Sequence, residues 1–212
     1  MLCQDHSNNN LLCKKWNGHF LYLALPKLFF MKKMISLFLA VITSSFMLNL
    51  AAQSLNADDI KSQFAVDWER AKEYTIEYLN TMPADKYSAK AVDSIRSFAE
   101  QMLHLASANV FLMATATGEK PLSWASFTLE SRKTAQSKDS VMYFVTSSYD
   151  FCKNAVKNFD PAKWGESRTL FGFNMTAFAL MQKTFEHQTH HRGQTTIYIR
   201  LQDIRPPQEK LF

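Results

Sequence analysis

Glycine and proline are scarce in this chain, five and six among 212 residues. So few turn formers exclude a many-turn β fold and favour long uninterrupted helices. Cysteine is nearly missing as well: Cys3 and Cys13 stand at the front, and Cys152 is alone in the body. A single body cysteine excludes an internal disulfide framework. Cys152 shares helical spacing with Val145, Val156 and Phe159, so it reads as a core residue before it reads as a nucleophile. Several catalytic signatures are also lacking. There is no Gly-x-Ser-x-Gly elbow, no glycine-rich phosphate loop and no His-Glu-x-x-His protease motif. Nor does the body carry a basic excess. The formal charge is +5, but five of the 24 basic residues (Lys14, Lys15, Lys27, Lys32, Lys33) and one of the 19 acids (Asp5) fall within residues 1–52. The remainder holds 19 basic and 18 acidic residues, which gives no footprint for nucleic acid.

What the front segment does have is a targeting pattern. From Met31 it reads Met-Lys-Lys, then a largely apolar run to Leu50, then Ala51-Ala52-Gln53. A charged start, an apolar stretch and a small-residue exit form a secretory signal. Thr43, Ser44, Ser45 and Asn49 interrupt the run, which makes it marginal for a span of ~20 residues. The expectation is cleavage after Ala52, a periplasmic or secreted product, and no stable membrane insertion afterwards. Residues 1–30 are then an upstream extension outside the fold, 31–52 the signal peptide, and 53–212 the folded domain.

The body reads as four helices. The first is expected from Asp58 or Asp59 to Met82, with Ile60, Phe64, Ala71, Tyr74 and Tyr78 at helical spacing. The second is expected from Asp93 or Ser94 to Thr117, stopped by Gly118, with a stripe of Ile95, Phe98, Met102, Leu105, Leu112, Met113 and Ala116. Lys120–Lys138 has no pattern and suits a lid, a binding loop or plain surface equally. The third helix is expected from Ser137 to Phe159, and the fourth from near Ser167 to Leu201, followed by a loose tail after Pro207. Strand patterns longer than a few residues are absent, so the expected fold is all-α, an up-down four-helix bundle.

The chemistry concentrates in Phe185-Glu186-His187-Gln188-Thr189-His190-His191-Arg192-Gly193-Gln194. His187 and His191 are four residues apart, so on a helix they stand ~40° apart on one face with Cβ atoms ~5–6 Å apart. Two imidazoles rarely complete a site, and His104 is the natural third. His104 lies off its helix's apolar stripe, with Ser97, Glu100, Gln101 and Ala108; phase alone leaves it undecided between a solvated residue and a ligand in a cleft. His190 turns ~100° away from the pair, and Glu186 reads as surface. Gly193 costs ~1 kcal/mol in a helix interior, which suggests close backbone packing there. Arg192 and Arg200 could hold an anion, though single helical arginines are more often solvated. Three histidines without a fourth protein ligand would leave a divalent ion an open position, the pattern of catalytic sites. Such an ion polarises a carbonyl or lowers the pKa of bound water. Zn or Ni leads the candidates, with Cu, Fe and Mn behind.

These residues resemble the DinB-like proteins, damage-inducible four-helix bundles that include YfiT-type metal-dependent hydrolases. The resemblance runs from about Phe64 to Pro207. It rests on His187-Gln188-Thr189-His190-His191-Arg192-Gly193-Gln194, on Tyr198-Ile199-Arg200-Leu201 with Pro206-Pro207, and on Arg96 to Ala106 around His104. It implies an up-down bundle with a metal held by one histidine of the second helix and two of the fourth, positions that match His104, His187 and His191. It implies a hydrolase or a thiol-dependent transferase acting on a small molecule, and pairing into a homodimer through helix faces. On this reading Gln194 or Tyr198 lines the pocket. The export signal departs from that pattern and weighs against a cytosolic thiol. The rival reading is a non-enzymatic metal-binding or stress-response bundle.

Overall fold

The computed structural model describes residues 2–4, 10–16, 19–23, 34–38 and 56–212, which fall into two units, Met1–Leu55 and Asn56–Phe212. In the first unit, β1 (Leu2–Gln4), β2 (Asn10–Trp16) and β3 (His19–Leu23) form an antiparallel sheet in that order, with Leu12 opposite both Leu2 and Leu23. These strands lie where the sequence suggests an extension outside the fold. Residues 34–38 are helical, and the rest of the expected signal, including its Ala51-Ala52 exit, lies outside the described residues. Among the described residues, no helix is long and apolar enough to cross a membrane.

The second unit is built on four helices, each opened by a polar side chain. Helix α1 (Ala57–Thr81) starts at Asn56, whose side chain accepts from the Asp58 amide, so Asp58 and Asp59 occupy the first turn rather than the cap. Two acids there favour the positive end of the helix dipole. Helix α2 (Phe98–Thr117) starts several residues later than the periodicity predicts. Ser97 accepts from the Glu100 amide while Glu100 accepts from the Ser97 amide, and this reciprocal cap fixes the first turn. Ile95, placed on the stripe from sequence, is 38% exposed ahead of that cap. Gly118, at φ +80°, closes α2 in the left-handed conformation. Helix α3 (Lys138–Asn158) starts at Ser137 as expected.

Helix α4 (Ala177–Arg200), capped by Thr176, begins ten residues after Ser167. The residues between form a hairpin, β4 (Ser167–Leu170) with β5 (Phe173–Thr176), Leu170 opposite Phe173. Its tip, Phe171-Gly172, has φ of +51° and +82°. Two consecutive positive φ values match the twist of a tight hairpin.

The helices are arranged up, down, down, up. Lys138 Nζ donates to the carbonyls of Asn80 and Met82, and Lys72 pairs with Asp150 at 2.7 Å, so α3 runs against α1. Tyr198 donates to the Arg96 carbonyl, and Phe98 packs on Tyr198, so α4 runs against α2. Asn109 donates to Ser148 and Gln136 to Glu100, which sets α2 and α3 parallel. Phe64 packs on Phe185 and Tyr78 meets Thr196, which sets α1 and α4 parallel. The all-α bundle expected from sequence is present. Strict alternation gives way to a parallel middle pair because the connection from Gly118 to Ser137 is long enough to return the chain to the same end.

The ring order places α2 between α3 and α4, with α1 across the diagonal. Helix α2 is therefore buried on several sides: Phe98, Met102, Leu103, Leu105, Val110 and Met113 are all fully buried. Each such side chain contributes ~1.5–3 kcal/mol relative to exposure. Trp68 of α1 fills the opposite wall, edge-on to Tyr149 and Phe185. Cys152 is buried among these residues, its Sγ donating to the Asn109 carbonyl, and burial holds its thiol pKa well above the ordinary value. The tail is not loose: Pro206 is buried, Arg70 Nη1 donates to the Lys210 carbonyl at 2.7 Å, and Lys210 pairs with Glu77. Gly193 serves no close approach, since a Cβ there would meet nothing within 4 Å. It faces outward, where no neighbouring backbone demands it.

Candidate metal centre

The antiparallel crossing of α2 and α4 brings one histidine of α2 to two of α4. Each of His104, His187 and His191 offers a nitrogen, and these nitrogens all lie within 4.8 Å of one another. His187 and His191 share a face of α4 by their four-residue spacing, and their Nε2 atoms are 3.1 Å apart. Two ligands each ~2.0–2.1 Å from one ion at ~90–109° stand ~2.9–3.4 Å apart, so this pair has the separation of co-ligands. Two unprotonated nitrogens at that distance require a proton or a cation between them. The His104 ring centroid lies 4.6 Å from that of His191 and 5.4 Å from that of His187. Its off-stripe phase is explained: the face it shares with Gln101 looks toward α4, where Gln101 is 4% exposed.

The rings are held from behind. His104 Nδ1 is 2.6 Å from Glu130 Oε2, and Arg96 Nε donates to the other carboxylate oxygen at 2.9 Å. Nδ1–H donating to a carboxylate leaves Nε2 as the free lone pair and raises its basicity. The Gln101 amide nitrogen Nε2 lies 2.9 Å from His191 Nδ1. With that amide turned over, its oxygen would accept from Nδ1–H, the arrangement that leaves His191 Nε2 free as a ligand. Gln101 also meets Gln194, which reaches His190 at 2.9 Å. His187 has no such tether. Its Nδ1 is buried without a hydrogen-bond partner, so no side chain tethers that ring from behind.

Electrostatics favour neutral rings. Burial, then the neighbouring imidazoles, push the pKa of His187 down to about 4 and that of His191 to about 3. His104 is lowered chiefly by burial and then by Arg96, with Glu130 opposing. A neutral imidazole is the form that ligates a metal, so little proton competition remains at neutral pH. Residues and geometry thus fit a divalent ion, and the donor set alone does not choose among Zn, Ni, Cu, Fe and Mn.

The other sequence candidates separate clearly. His190 is exposed, its ring 5.0 Å from His191, and Glu186 is exposed. Arg192, expected on a solvated face or beside an anion, is only 7% exposed and turned away from the histidines. It donates to Gln188 Oε1 at 2.9 Å and lies over the Tyr74 ring, 4.6 Å from its centroid. Arg200 is exposed at the end of α4. Gln194 and Tyr198 line a cavity beside the site, as expected. The residues missed were Glu130 and Gln101. Glu130 comes from the patternless connection after α2, where no periodicity marks a residue. Gln101 could have been found one turn before His104, on the same face.

A model of the DinB family matches residues 51–208 of this chain. Among solved structures, a DinB-like protein from Bacillus cereus is similar, with 18% identity and a TM-score of 0.60, over 69% of this chain and 95% of that one. A DinB-like protein from Bacillus subtilis is similar at 16% identity and a TM-score of 0.52, over 71% of this chain and 96% of that one. At these identities the likeness is one of fold. No curated protein matches the chain significantly.

Proposed function

The chain belongs to the DinB family, and from that premise we propose that it is an exported metal-dependent hydrolase or transferase acting on a small molecule. His104, His187 and His191 would hold one divalent ion. A bound ion supplies Lewis acidity to an oxygen or sulfur centre of the substrate. The protein supplies the rest. Glu130 and Gln101 fix the ring directions of His104 and His191. The three rings stay neutral, and their partial burial limits water on the bundle side. Three protein ligands would leave such an ion with open coordination positions, the arrangement of catalytic rather than structural sites.

The observation that carries this reading is the convergence of three imidazoles from two helices, with one nitrogen pair at co-ligand distance. The test is elemental analysis of the purified chain after Zn or Ni is offered, beside a His187→Ala/His191→Ala double variant. About one ion per chain, lost in the variant, is expected. Equal metal in both would refute the site. Export rests on the Met31–Ala52 pattern, and N-terminal sequencing of secreted material is expected to begin at Gln53. A retained Lys32-Lys33 would refute cleavage.

A further inference from the structure

Beside the histidines lies a cavity of about 650 Å³ whose walls are chemically divided. Its inner side is Gln101 and Glu130, the residues that touch His191 and His104. Its apolar walls include Ile95 and Ile197, which are 38% and 54% exposed and look into this space. Its cation is Arg96, whose side chain is 41% exposed. Arg96 spends Nε on Glu130, and among the described residues its two Nη groups have no partner. Tyr198 donates to the Arg96 carbonyl at 2.6 Å, and Arg96 directly precedes the capping Ser97, so the backbone beneath the guanidinium is fixed.

We infer that this cavity binds a small monocarboxylate with an apolar body, its carboxylate on the Nη face of Arg96 and its chain between Ile95 and Ile197. This rests on the metal-site reading, because the reacting end is then directed toward the histidines past Gln101. Three observations support it. The volume suits a small-molecule ligand. A guanidinium with two free donors matches a carboxylate bidentately. Among the described residues lining the cavity, Glu130 is the one acid, and its carboxylate is already engaged by Arg96 Nε and His104. The unpartnered Nη groups of Arg96 are therefore the charged donors left to face a ligand, and they favour an anion over a neutral or cationic analogue.

The test uses the full chain, loaded with zinc and separately stripped by a chelator. Hexanoate, hexanamide and hexylamine serve as probes, and binding is read by calorimetry and by chemical-shift changes. Hexanoate is expected to bind at least tenfold more tightly than hexanamide, with hexylamine weakest, in both forms. Arg96→Gln is expected to erase the preference while the zinc content stays near one per chain. Ile197→Glu, on an exposed position that folding does not need, is expected to weaken hexanoate at least tenfold by repulsion. Equal affinities for hexanoate and hexanamide would overturn the inference. So would a preference that survives Arg96→Gln but vanishes on removing zinc, because the carboxylate would then sit on the ion. Absence of zinc from the chain would instead overturn the metal-site reading, and the elemental analysis reports that separately.

Discussion

Replacing Glu130 by alanine separates the metal site from the fold. Glu130 Oε2 stands 2.6 Å from His104 Nδ1, and its other oxygen accepts from Arg96 at 2.9 Å. Removing the carboxylate frees the His104 ring to turn and lowers the basicity of its ligating nitrogen. Loss of such a partner costs about 10–100-fold in metal affinity, or ~1.4–2.7 kcal/mol. The folding cost is smaller. The Glu130 and Arg96 side chains are 20% and 41% exposed, and ion pairs near solvent contribute ~0–1 kcal/mol. The connection stays anchored, because Leu129 is fully buried and Gln136 still donates to the Glu130 backbone carbonyl at 2.7 Å. Competition against a fluorescent chelator measures zinc affinity, and urea unfolding of the metal-free chain measures stability. The expected result is a large fall in affinity with a stability change of ~1 kcal/mol or less. Glu130→Gln, which keeps an acceptor but not the charge, should fall between. An affinity within twofold of the parent would refute the orienting role. An equal fall in both quantities would make Glu130 a structural residue.

Gly193→Ala should stabilise the chain by ~1 kcal/mol, because a Cβ there meets nothing within 4 Å; a lower melting temperature would show an unseen constraint. Ser97→Ala should cost ~0.5–2 kcal/mol in urea unfolding through loss of the α2 cap, and unchanged stability would show that packing alone starts the helix. The metal-free chain should lose stability as pH falls from about 6.5 toward 4. Burial lowers His187 to about 4 and His191 to about 3 while His104, His190 and Arg96 surround them. Below ~6.5 the unfolded chain takes up protons that the folded chain refuses, and between pH 7 and pH 5 the loss for the pair is on the order of 3 kcal/mol. Urea midpoints at pH 7 and pH 5 check it, and an equally steep fall in a His187→Gln/His191→Gln variant would refute the assignment.

Much of this protein was written locally. Scarce glycine and proline, a 3.6-residue apolar period and stop signals at Gly118 and Asp160-Pro161 placed α1 and α3 nearly at their observed bounds and α2 at its C-terminal end. The Ser97-x-x-Glu100 box was available and marks the true start of α2 better than Asp93 does. The hairpin before α4 was missed because its strands are four residues each, too short for a period-two pattern to stand out. The i, i+4 relation of His187 and His191 was legible because one helical turn determines it.

The sequence by itself determined the helices, their caps and the face that carries the histidine pair, since these depend on residues within a turn or two of one another. Only the tertiary structure decided the up, down, down, up order, which lays α2 against α4 and makes His104 their third partner. It also decided that Glu130 stands behind His104, that Arg192 turns into the seam with α1, and that Arg96 takes the place beside the site. Residues far apart in the chain meet through loop closure and packing, and no local period records which partner each face will find.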